Sequence, residues 1–139
     1  MPEQGEGHQE AQRLGSLELA LREAEDSAYL PHTSAPYARR LLDKVLAALE
    51  QVEASGLSGD QVPSFKDRIT PLTYAVRRLE IRDPIKHAQY ALSAKQPNGA
   101  GAREWVQLAQ DKLAEYRDKL LPEDVERFER QLVELERQA

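Results

Sequence analysis

In the stretch RRLEIRDPIKHAQY, residues 77–90, Arg82 and His87 stand five positions apart, with Asp83 beside the arginine. A histidine moves a proton near neutral pH, and an arginine steadies charge on a phosphate. Such a pair suits phosphodiester cleavage without a metal. Arg82 and His87 are the catalytic candidates of this chain. The same residues also have a reading without catalysis. Arg82 then closes a helix, where a cation is favoured. Asp83 caps a new helix entered through Pro84, and His87 faces solvent one turn further on.

The string RDPIKH, residues 82–87, resembles the arginine-x4-to-6-histidine signature of HEPN-type ribonucleases, small all-helical proteins. The resemblance covers six residues. It implies a pair, usually contributed by two protomers, that promotes attack of a ribose 2′-hydroxyl on the neighbouring phosphate. Short motifs of this kind also arise by chance. A metal-independent ribonuclease is therefore the alternative, and the leading expectation is a protein that is not an enzyme.

A binding surface fits the segment better. At 100° per residue, Tyr74, Arg77, Arg78 and Ile81 lie roughly opposite the stripe Ile69, Leu72, Val76 and Leu79. On the following turns Ile85, Ala88 and Leu92 share a face, and His87 and Tyr90 point away from it. Tyr74, Arg77, Arg78, Ile81, Arg82, Lys86, His87 and Tyr90 are thus the candidate binding residues. Arginines interleaved with aromatics suit a protein–protein hot spot. They equally suit stacking on single-stranded RNA, as in a small subunit of a larger ribonucleoprotein complex. The competing reading is a central helix burying two faces, which makes Tyr74, Ile81 and Tyr90 core.

The elements that must position these residues are helices. Apolar side chains recur at steps of three and four: Leu14, Leu17, Leu21, Ala24 and Ala28, then Ala38, Leu42, Val45, Leu49 and Val52. Two further stripes are Val106, Ala109, Leu113, Tyr116 and Leu120, and Leu121, Val125, Phe128, Leu132 and Leu135. No segment sustains a period of two. Ser34 is placed to cap a helix entered through Pro36, and Pro122 precedes Glu123 and Asp124, acids suited to a helix start. The pattern predicts helices over 10–29, 35–54, 64–81, 84–95, 101–120 and 122–138, after a flexible tail over 1–9. Pro71 is expected to begin a helix capped by Thr70 rather than to sit inside one. The expected fold is an all-α, single-domain antiparallel bundle of five to six helices over 10–139, since short connections favour antiparallel neighbours. SAYLP and SAKQP each precede a loop and a helix containing Asp-Lys, a faint repeat that ordinary loop chemistry also explains. Tyr37 and Trp105 stand at the start of long helices, where large amphipathic aromatics close a bundle end. The last helix is patterned in heptads. At about two and a half of them it is short for a free coiled coil, so it is expected to dock on its own bundle.

Composition bounds the rest. There is no cysteine, so thiolate chemistry and disulfides are excluded. His8 and His32 stand alone, without further ligands at metal-binding spacing, and nothing reads as a cofactor box, so no metal and no cofactor are expected. The longest apolar run, Val45–Leu49, is five residues, which rules out a helical membrane span. The acidic, polar N-terminus is unlike a signal peptide, and the expected setting is cytoplasmic, with an exported form trimmed of its signal left open. Net charge is −5, but residues 64–95 hold seven basic against three acidic side chains, +4, leaving −9 elsewhere. A local anion site is compatible with that balance, and general nucleic-acid binding is not. The expected partner is a protein, a second copy of the chain included, reached through the 64–95 segment or the last helix. Single-stranded RNA is the alternative partner.

Overall fold

The computed structural model describes residues 2–57 and 59–139, with side chains from residue 7 onward. The protein is all-α, as its periodicity dictates. Five α-helices and one 3-10 turn are present among the described residues: α1 (Pro2–Ala28), α2 (Ala35–Ser55), α3 (Val62–Ser93), α4 (Gly99–Tyr116) and α5 (Pro122–Gln138), with the 3-10 turn at Arg117–Lys119. The chain divides into two compact units, Met1–Val76 and Arg77–Ala139. α3 gives its first half to one and its second half to the other.

In the first unit α1 buries Leu17, Ala20, Leu21, Ala24 and Ala28, and α2 buries Ala38, Leu41, Leu42, Val45, Leu49 and Val52. Ile69, Leu72 and Val76 of α3 are buried as well. α1 begins at Pro2, earlier than the tail assigned to residues 1–9 from sequence. Glu3 and Glu6 favour a helix N-terminus, and no proline follows Pro2 to interrupt the run. The start of α2 matches expectation: Ser34 is extended, its hydroxyl accepts from the Tyr37 N–H at 3.3 Å, and Pro36 lies in the first turn. Gly56 ends the helix at φ 69°, a left-handed conformation that costs a glycine nothing. Lys44 reaches Glu23 of α1 at 3.8 Å and Lys66 reaches Glu53 of α2 at 3.6 Å. Arg68 grips α1 twice, at 2.5 Å to Glu18 and 2.7 Å to Glu25. Those two carboxylates, Glu25 foremost, hold the Arg68 guanidinium above its usual pKa, burial opposing them.

In the second unit the register is read from side-chain pairs. Glu80 meets Lys112 and Tyr116, and His87 meets Trp105, so the second half of α3 runs antiparallel to α4. Arg117 pairs with Glu129, Gln110 with Glu136 and Arg103 with the Ala139 carbonyl, so α4 runs antiparallel to α5. Val125, Phe128, Leu132 and Leu135 of α5 are buried, and the last helix docks on its own unit.

The expected break at Pro84 is not there. α3 runs unbroken for 32 residues through both Pro71 and Pro84, merging the helices expected at 64–81 and 84–95. Arg82 therefore does not end a helix, Asp83 does not cap one, and Pro71 does not start one. An interior proline loses one ladder hydrogen bond and crowds the carbonyl four residues back, a cost of about 3 kcal/mol. Burial offsets it. Leu79 and Ile81, about 200° apart around the helix, are 5% and 0% exposed, and Ile85 and Ala88 continue the buried surface past the proline. Around Pro71 the Thr70 and Thr73 hydroxyls donate to the Lys66 and Ile69 carbonyls, at 3.0 and 2.9 Å.

Candidate interaction surface on α3 and α4

The continuity of α3 decides the geometry of the catalytic candidates. Five steps along an unbroken helix place Arg82 and His87 about 140° apart around the axis and about 7.5 Å apart along it. They do not share a face. The Arg82 guanidinium lies 3.6 Å from the Asp83 carboxylate. The His87 ring instead stacks on Trp105 of α4, with ring centres 4.3 Å apart and planes 21° from parallel. Each of the two side chains is thus engaged with a different neighbour.

The basic segment is partly neutralised by acids that the sequence places elsewhere. Lys66 meets Glu53, Arg68 meets Glu18 and Glu25, and Arg78 lies 3.7 Å from Asp124. Those four acids lie outside 64–95 and offset part of its +4, Glu18 being shared with Arg22 and Asp124 with Arg127, while Lys112 draws on the segment's own Glu80. Arg77 rests over the Tyr116 ring at 5.8 Å, with Lys112 at 5.4 Å from the same ring. Tyr116, buried, donates its hydroxyl to Glu80 at 3.0 Å, and Lys112 lies 3.7 Å from that carboxylate. Burial pulls the Lys112 pKa down. Its hydrogen bond to Glu115 and the charges of Tyr116, Glu80 and Glu115 together outweigh this, so the net displacement is upward.

The eight residues proposed for binding fall into different environments. Ile81 is fully buried and belongs to the core, which corrects its placement on a binding face: two faces of α3 are covered at that turn. Tyr74, half-buried, belongs to the first unit. Arg77, Arg78 and Arg82 are engaged as described. Lys86, His87 and Tyr90 are exposed, Tyr90 most of all at 72%.

Around the His87–Trp105 stack lies a continuous exposed edge. Tyr90 follows His87 by one helical turn, and Leu108 follows Trp105 by one turn on α4, with Leu108 51% and Trp105 36% exposed. The sequence reading overlooks Leu108 and treats Trp105 as a bundle-end residue. The pairing of positions 87 and 105 depends on the antiparallel register of α3 and α4, and no local pattern encodes it. The connection that fixes this register is built at Asn98. Its N–H donates to the Ala91 carbonyl at 2.9 Å, and its side chain accepts from the Gly101 N–H at 2.9 Å. A Cβ on residue 101 would lie 2.5 Å from the Asn98 Nδ2, so the cap needs glycine there.

Among the described residues, no group of three or more His, Cys, Asp or Glu side chains is placed to hold a metal ion, and no helix is long and apolar enough to cross a membrane. The fold and this surface define an all-α helical protein with an exposed aromatic edge. No family model, no curated protein and no solved structure matches the chain.

Proposed function

We propose that this is a non-enzymatic docking or assembly protein that takes a protein partner, a second copy of itself included, at the His87–Tyr90 and Trp105–Leu108 edge. The carrying observation is the joining of Tyr90, His87, Trp105 and Leu108 into one exposed strip across two helices. Tryptophan and tyrosine are the anchors that protein interfaces favour, and an apolar neighbour such as Leu108 supplies surface to desolvate. The apolar stripe of α5 is used inside its own unit, which moves the reading away from the last helix. Binding of single-stranded RNA needs cations free to follow the backbone. Four acids from outside the segment are already spent on its basic side chains, which supports a protein partner over RNA. The 140° offset of Arg82 and His87 on one helix supports a role without catalysis. A cytoplasmic setting belongs to this reading and agrees with the lack of cysteine.

The test is a photocrosslinking amino acid in place of Tyr90, with position 130 on the exposed side of α5 as control. A discrete adduct formed from position 90, absent from position 130 and lost when Leu108→Asp is added, is the expected result. Absence of any adduct from position 90 refutes the reading. Anisotropy of a labelled single-stranded RNA runs beside it. Affinity that falls steeply with added salt would replace the protein partner with RNA.

A further inference from the structure

On the footing of the docking role proposed above, we infer that the protein taken at this edge is a second copy of the chain, paired about a two-fold axis that runs along α4. Charge is what selects this partner. Residues 77–139 hold twelve basic and twelve acidic side chains, whereas residues 1–76 hold seven basic and twelve acidic ones. The −5 of the chain therefore resides in the first unit, and the exposed aromatic edge belongs to a unit with no net charge. Two copies of such a unit approach without net repulsion, and a net charge near zero favours association.

The charges beside the strip also select how the copies face each other. Lys86 precedes His87 on α3, and Glu104 precedes Trp105 on α4. His87 and Trp105 stack, so they mark one level of two antiparallel helices. One step back along each helix moves about 1.5 Å in opposite directions, which leaves Lys86 and Glu104 about 3 Å apart in height. The same step turns each side chain about 100° from its stacked neighbour, toward opposite flanks of the strip. Lys86 and Glu104 are both exposed, and neither pairs with another described residue.

A two-fold axis parallel to the helices lays α3 of one copy against α4 of the other at the same height. Lys86 of each copy then meets Glu104 of the other. One interface thus holds two opposite-charge pairs flanking His87, Tyr90, Trp105 and Leu108. An axis across the helices would instead bring α3 onto α3 and α4 onto α4, with Lys86 near Lys86 and Glu104 near Glu104. The parallel axis also brings Asp83 toward Asp111, but Asp83 carries the Arg82 guanidinium at 3.6 Å, which offsets that repulsion.

The experiment is sedimentation equilibrium of the full chain and two charge reversals. The wild type is expected to show a mass that rises with concentration toward twice that of the chain. Lys86→Glu and Glu104→Lys each place two like-charge contacts where two pairs stood, and each should weaken self-association about tenfold. Mixed in equal amounts, the two variants regain both pairs in a mixed dimer and should associate as tightly as the wild type. Unchanged helical circular dichroism in each variant shows that the fold is kept. A wild type that stays monomeric at about 1 mM overturns the inference, and so does a mixture that associates no more tightly than its components. The adduct from position 90 separates this inference from the docking reading beneath it. An adduct of twice the chain mass supports the second copy. An adduct with a different protein keeps the docking reading and overturns the second copy, and no adduct removes both.

Discussion

Replacing Pro84 by alanine tests the continuity of α3 directly, because the two placements of that residue predict different results. Inside a helix, proline costs about 3 kcal/mol relative to alanine. Pro84 is half-buried. Trimming its ring loses two methylenes worth about 0.8 kcal/mol each when fully buried, so about 1 kcal/mol in total at half burial. The balance is a gain of about 2 kcal/mol for Pro84→Ala. With a urea dependence of about 2 kcal/mol per molar, the midpoint should rise by about 1 M, and the melting temperature by about 6–8 °C for a chain of this size. The assay is urea denaturation followed by the helical circular dichroism band. Had Pro84 opened a separate helix, its missing N–H would cost nothing and its fixed φ would help, so alanine would be neutral or slightly harmful. A midpoint that stays put or falls refutes the continuous α3 and everything derived from it, the separation of Arg82 from His87 included. Pro71→Ala should shift stability in the same direction, with less to lose because Pro71 is exposed.

Other perturbations have equally definite outcomes. Ile81→Ala should cost about 3 kcal/mol in the same urea assay, and Tyr90→Ala less than about 0.5 kcal/mol, separating the core residue from the surface one. Arg68→Met removes both pairs to α1. With the Arg68 side chain 34% exposed, solvent screening brings the expected loss to about 1 kcal/mol, and a double-mutant cycle with Glu25→Gln should show coupling that shrinks in salt. For Lys112, a folded-state pKa raised above its ordinary 10.5 means stability that is present below that pH and lost as pH climbs through the folded value. Thermal melts across that window should therefore fall more steeply for the wild type than for Lys112→Met, and parallel curves would remove the assignment.

What was legible in the sequence is what local chemistry writes. The three-four period gave the all-α class. Ser34 with Pro36 marked the start of α2, and Pro122 with its acids marked α5, because a cap and its first turn lie within four residues of each other. The continuity of α3 was not legible. Proline at 84 after aspartate at 83 has every local mark of a helix start, and the burial of Leu79, Ile81 and Ile85 that outweighs it comes from partners remote in sequence. The same remoteness hid the charge balance. Arg68 is 50 and 43 residues from the carboxylates it meets, so part of the segment's +4 is offset by acids that no local pattern reveals. Ile81 was assigned to a surface because a single stripe defined the inside of α3, and that assumption fails where a helix is covered on two sides. The candidate edge was half legible: His87 and Tyr90 were picked out, but their partners on α4 required the register.

Trp105 is the only tryptophan in the protein, and it sits in the candidate edge with an imidazole stacked on it. The molecule thus carries its own optical reporter at the surface that matters most. Indole emission moves to shorter wavelength when water is excluded. Wavelength therefore follows occupancy of the edge. The signal comes from the unlabelled wild-type chain.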